Sequence, residues 1–105
     1  MAGMDELQNK LRAETGDADW PTLRPHHARG RLRVVDPRLD LVEVGVCVAR
    51  DEVEQIARWI TDGLITRPTN GQIERWENGA TRLRSVVLAP YVFVQDWTPP
   101  SSLAS

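Results

Sequence analysis

Few residues in this chain have the type and spacing that chemistry requires. Asp36 and Asp40 are two carboxylates close together across Pro37. A pair of carboxylates works as acid and base when an apolar pocket drives their pKa values apart. No such pocket is visible in the sequence, and ordinary roles account for both residues: Asp36-Pro37-Arg38 reads as a turn and Asp40 as a helix cap. His26-His27 invites a metal reading, but neighbours on a helix point about 100° apart and no further ligand stands at zinc-like spacing. Cys47 is the single cysteine. An internal disulfide and a cysteine-based metal cluster are therefore excluded, and its apolar neighbours make it a core thiol. No glycine-rich phosphate loop, Gly-x-Ser-x-Gly, His-Glu-x-x-His or Cys-x-x-Cys is present. No catalytic, cofactor-binding or metal-ligating residue is assigned, no cofactor is expected, and a non-enzymatic protein is the expectation.

The remaining candidates are residues that recognise rather than react. There are 13 basic and 15 acidic residues, a net charge of −2. The distribution says more than the sum: residues 40–66 hold six acids against two bases. Glu52 and Glu54 open a helix there and would suit a charged protein partner. Trp20 and Trp97, two of four tryptophans, lie near segment ends and read either as partly exposed anchors for a partner or a second copy or as caps on a small core. Arg58, Arg67, Arg82 and Arg84 form the alternative, a DNA-binding set with a basic wing. Against it, the would-be reading helix begins with Asp51, Glu52 and Glu54, which repel phosphate and release no counterions.

These residues are positioned by a central stretch, residues 40–66, read as two short helices joined by a tight turn. Asp40 stands three before Glu43 and Asp51 three before Glu54, so each pair matches a capping box. Gly63 supplies the left-handed position that stops the second helix. The helices are placed at about 41–49 and 52–62, within a few residues. In the second, Val53, Ile56, Ala57, Trp59 and Ile60 share one broad face. The first contains Val42, Val44, Val46 and Val48 in alternation, so a buried strand also fits. The Asp40–Glu43 box and small Gly45, which would let another helix approach closely, favour helix.

Around this centre, residues 4–15 read as a helix with Met4, Leu7 and Leu11 inward. Gly16, Asp17 and Asp19 form a break. A helix capped by Asp19, with Pro21 in its first turn, should end before Gly30, and Pro25 implies a kink or a single turn. Residues 31–35 alternate charged and apolar and read as a strand, 64–66 as a brief second strand, and 70–78 as a helix opened by a Thr69–Gln72 capping box and closed by Asn78-Gly79. Thr81 to Arg84 reads as a basic bend. SVVLAPYVFVQ divides at Pro90 into two strands or one bulged strand. Strands 31–35 and 91–95 are expected to pair antiparallel. The fold expectation is α+β and winged-helix-like: a helix-turn-helix core packed on a small antiparallel sheet. Residues 1–97 are expected to form a single compact domain, with a flexible tail at 98–105. No stretch approaches the ~18 apolar residues of a membrane span, so a cytoplasmic protein is expected.

The run VVDPRLDLVEVGVCVARDEVEQIARWITDGLITRPT, followed by VVLAPYVFVQDW, resembles a family of small bacterial proteins catalogued as domain of unknown function 2288. The resemblance extends from about Trp20 to Trp97, and Asp40-Leu41-Val42-Glu43-Val44, Trp59-Ile60 and Pro90-Tyr91-Val92 are its most specific parts. It implies a single compact bacterial domain and carries over no activity, cofactor or catalytic residue. Locally, Gly45 and Trp59-Ile60-Thr61-Asp62-Gly63 are similar to the helix-turn-helix of excisionase-like and MerR-like regulators, although the turn lacks their Gly-Val-Ser and is one residue longer. The functional expectation is a protein-interaction module, possible as a homodimer. The alternative is a winged helix-turn-helix regulator using an arginine-bearing wing.

Overall fold

Apolar residues alternate along the central strands, and each set meets its own layer of helices. The computed structural model describes residues 2–79 and 81–96, with residues 2–5 as backbone alone. The elements are α1 (Ala2–Glu14), β1 (Gly16–Ala18), α2 (Trp20–Ala28), β2 (Leu32–Val35), α3 (Leu41–Ala49), α4 (Val53–Thr61), β3 (Ile65–Thr66), α5 (Asn70–Glu77), β4 (Leu83–Leu88) and β5 (Tyr91–Asp96). Their strands form one open mixed sheet in the order β1-β4-β5-β2-β3. On one face Val35, Val86 and Phe93 pack with Leu11, Val44 and Trp59 from α1, α3 and α4. On the other, Leu32, Val34, Val92 and Val94 pack with Trp20 and Leu23 of α2 and Trp76 of α5. This is an α+β fold with helices on both faces of a small open sheet.

The pairing of β2 with β5 corrects an expectation. The two strands run parallel, with Leu32 opposite Val92 and Val34 opposite Val94. A parallel pair requires a long crossover, and α3, α4, β3, α5 and β4 together supply it. As an inner strand covered on both sides, β5 is a nearly unbroken apolar run, as parallel neighbours tend to be. The sheet thus departs from the expected small antiparallel one. β1 occupies the edge beside β4, where a polar break was expected, with Asp17 opposite Arg84. It is held by backbone pairing and its side chains are largely exposed, so no hydrophobic pattern marks it. The expected bend at 81–84 is shorter, because Leu83 already belongs to β4. SVVLAPYVFVQ is two strands, a hairpin turning at Ala89 and Pro90.

Residues 41–49 are helical. Asp40 Oδ1 accepts from the Val42 amide at 2.9 Å, a cap of about 1 kcal/mol. Gly45 faces α1: a Cβ built there would lie 3.5 Å from Leu11 Cδ1. The Asp51–Glu54 capping box does not form. Asp51 adopts φ +57° and Glu52, not Asp51, stands at the N-cap of α4, with no side-chain cap bond. Asp51 instead terminates α3: its amide donates to Val48 O at 3.0 Å, and that of Glu52 to Cys47 O at 2.9 Å. That is the Schellman arrangement, normally built with glycine at the left-handed position. Gly63 ends α4 in the same way at φ +77°, its amide donating to Ile60 O and that of Leu64 to Trp59 O. The Thr69–Gln72 box is complete, with bonds of 3.1 and 2.9 Å. α2 runs nine residues through Pro25, longer than a single turn, because one proline removes only one backbone donor. The expected inward position of Met4 and the tail at 98–105 lie outside the described side chains and residues.

Candidate functional site

α4 is the element whose burial departs most from its pattern. Trp59 points into the first core and is 8% exposed, while Val53 is 63% and Ile60 55% exposed. Adjacent helical residues point about 100° apart, and residues seven apart return to within about 20°. Ile60 and Val53 therefore share a line turned well away from Trp59. The apolar face of the helix is wider than the strip the core covers, and the remainder is presented to solvent.

That exposed arc borders a groove of about 430 Å³ lined by Val48, Ile56, Ile60, Ile65, Tyr91 and Phe93, with Arg33 and Arg67 among its polar lining. β5 sets the floor: Tyr91 and Phe93 project to the same side of the strand, their ring centroids 6.5 Å apart. Arg33 is held in place by donating from Nη1 to Gly30 O at 3.0 Å and Leu32 O at 2.9 Å. Its guanidinium carbon lies 5.1 Å from the Tyr91 ring centroid, a cation–π distance. Glu52, Glu54 and Arg58 line a separate shallow depression with Val53 on the outer side of α4. A greasy trough with arginines at its rim, Arg33 among them held in place, beside a greasy ridge flanked by acids, can hold apolar side chains and orient charged ones.

A second concavity, of about 470 Å³, opens on the opposite layer beside Trp20, Arg24, Trp76, Glu77 and Arg82. Its groups largely engage each other. Arg24 pairs with Glu77 at 2.7 Å and its guanidinium carbon lies 5.9 Å from the Trp20 ring centroid. The Trp20 and Trp76 rings are 5.5 Å apart. The Trp20 indole beside Glu77, and then Arg24, hold that carboxyl below its ordinary value, although neither buried indole N–H reaches full hydrogen-bond geometry.

The expected site residues are scattered among these regions. Glu52, the N-cap of α4, and Glu54 in its first turn are exposed together. Trp20 is 4% exposed, so the expectation of an exposed anchor is corrected: it is a core residue, its indole packed on Trp76. Trp97 lies outside the described residues. The four arginines do not gather into a wing. Arg67 borders the α4 groove, Arg58 the outer depression and Arg82 the tryptophan pocket, while Arg84 stands on β4 opposite Asp17 and Gln95.

The chemistry-bearing candidates have structural partners. Asp36 accepts from the Arg38 amide at 2.8 Å and from its Nε at 3.0 Å. Hydrogen bonding by Arg38 holds the Asp36 carboxyl below its ordinary value. His26 and His27 are half-buried, His27 packing on Trp20 at 5.9 Å. Among the described residues no group of three or more His, Cys, Asp or Glu is placed to hold a metal. Cys47 is half-buried against the first core, and burial followed by the charge of Glu52 pushes its thiol pKa up. Arg33 and Tyr91 are groove residues that sequence reasoning missed; their signal was the Arg33/Val35 and Tyr91/Phe93 alternation, legible once the strands are known to be neighbours.

Helices on both faces of an open mixed sheet, with a helix pair presenting an uncovered groove, define a small α+β class of protein. Residues 6–96 match the family described as "Protein of unknown function (DUF2288)", and the chain belongs to that family. The fold is similar to the NMR solution structure of PA1075 from Pseudomonas aeruginosa: 35% sequence identity, 90% of this chain and 87% of that one covered, TM-score 0.75. No curated protein matches. Among the described residues no helix is long and apolar enough to cross a membrane.

Proposed function

We propose that this protein is a non-enzymatic protein-interaction module and that it docks its partner in the groove between α4 and β5. The observation that carries this reading is the outward apolar line of α4, with Val53 at 63% and Ile60 at 55% exposure, continuous with the groove through Ile56 and Ile60. Large apolar side chains gathered on one surface mark interaction sites, whereas scattered single ones do not. The chemistry of the groove specifies the partner: an amphipathic helix whose apolar edge fills the trough and whose acidic flank meets Arg33 and Arg67.

Labelled protein at nanomolar concentration, titrated with two synthetic amphipathic peptides, tests the reading. The peptides share an apolar edge and differ only in glutamate or lysine flanks. The glutamate peptide is expected to bind at least roughly tenfold more tightly, by about 1.4 kcal/mol, and Ile60→Glu is expected to abolish binding while the far-ultraviolet circular dichroism stays unchanged. Failure of both peptides to bind, or binding indifferent to Ile60→Glu, overturns it.

A further inference from the structure

The partner described by the groove is present in the chain itself. α4 is an amphipathic helix with an exposed apolar edge, Val53 and Ile60, and with exposed Glu52, Glu54 and Asp62 around it. The groove beside it is apolar and carries Arg33 and Arg67. Ridge and groove share Ile60, and Ile56, one turn before it, lines the groove, so the two halves of the recognition surface are adjacent. Adjacency is what a two-fold interface demands, because a patch must meet its own copy about the axis that passes through it.

Resting on the interaction reading above, we infer that the groove's occupant is a second copy of this chain, docked isologously, the α4 edge of each protomer in the α4–β5 groove of the other. Glu52 and Glu54 of one protomer then face Arg67 of its partner, twice per dimer. Both apolar ridges leave water together, and the charges set their register. The self-complementarity is unequal along the patch: acids sit at the start of α4 and arginines across the groove.

Charge-swapped chains test this in solution. Glu52→Arg/Glu54→Arg places three like charges across the interface with Arg67, and Arg67→Glu does the same with the native acids. Light scattering and sedimentation at tens of micromolar are expected to show a dimer for the unchanged chain and a monomer for each swapped chain alone. Mixing the two swapped chains is expected to restore a dimer, since both contacts of the heterodimer are then complementary. Ile60→Glu is expected to stay monomeric in any mixture. A monomeric unchanged chain overturns the inference, as do swapped chains that remain dimeric alone or fail to associate when mixed. Should the unchanged chain be monomeric yet bind the glutamate-flanked peptide through Ile60, the interaction reading stands and only the second copy as partner falls.

Discussion

The two helical layers use their aromatic and aliphatic residues in opposite ways. Across one face of the sheet, Trp20 of α2 and Trp76 of α5 are turned inward to 4% and 2% exposure, and the concavity beside them is lined in part by an internal pair, Arg24 with Glu77. Across the other, α4 gives only Trp59 to the core and turns Val53 and Ile60 out. The first layer turns its large rings inward and pairs charges across its concavity; the second leaves an apolar edge with arginines across a trough. Periodicity says which side of a helix is apolar. It does not say how much of that side its own chain covers.

The contrast is sharpest in stability. Trp76→Ala removes a fully buried ring and is expected to cost about 3–5 kcal/mol, whereas Ile60→Ser and Val53→Ser are expected to change the stability of the monomeric chain by no more than about 0.5 kcal/mol. Urea unfolding of dilute protein measures both. A cost above about 2 kcal/mol for Ile60→Ser would mean that this face is core after all.

Much of this architecture was legible from local chemistry. Asp40, Thr69, Gln72 and Gly63 mark helix ends that the structure confirms, because capping depends on neighbours in sequence. What was not legible depends on distant partners. The parallel pairing of β2 with β5 depends on which way the crossover returns. β1 pairs through backbone amides that any sequence carries. Trp20 sits near an element boundary, yet α5 arrives from fifty residues away to cover it. At the groove, Ile56 and Ile60 could be placed on an apolar helix face, but Arg33, Tyr91 and Phe93 join them only through the sheet register.

Gln95 shows how the α3 side of the fold is anchored. It is 6% exposed and donates from Nε2 to Leu39 O at 2.6 Å and Asp36 O at 3.0 Å, tying the turn before α3 to β5. Gln95→Leu keeps the bulk and removes the donors, with an expected loss of about 1–3 kcal/mol, read by thermal unfolding. Because the turn leads into α3 and thence α4, the same variant is expected to weaken docking in the groove without altering any groove side chain. If it left both unchanged, the rigid placement of α4 would rest on packing alone.

The junction between α3 and α4 offers smaller effects of opposite sign. Asp51 occupies φ +57°, a region that costs an L-residue roughly 1–2 kcal/mol. Glycine relieves this but loses more entropy on folding, so Asp51→Gly is expected to stabilise by about 0.5–1 kcal/mol. Gly45→Ala in mid-α3 is expected to add a similar amount, about 0.5–1 kcal/mol, since its methyl would meet Leu11 and Leu88 at ordinary contact distances of 3.5–3.7 Å. Chemical denaturation checks both. If Gly45→Ala destabilised the chain instead, α1 would lie tighter on α3 than these distances allow.

The smallest expected effect is a dependence on acid. Arg38 bonds to Asp36 through its backbone amide and guanidinium and thereby lowers the folded pKa of that carboxyl. The unfolded chain keeps the ordinary value of about 3.9. A lowered folded pKa means that the unfolded state binds more protons through this window, so the stabilisation is complete above the ordinary value and fades as pH falls through the lowered one. Glu77, beside Trp20 and Arg24, shifts in the same direction on the opposite layer. The melting temperature is therefore expected to fall as pH drops below about 4, and Asp36→Asn and Glu77→Gln are each expected to flatten part of that fall. Glu77→Gln should also change the pH dependence of tryptophan fluorescence, because Glu77 stands beside the Trp20 indole. A fluorescence transition that persists unchanged in Glu77→Gln would show that this carboxyl is not the group the Trp20 indole reports.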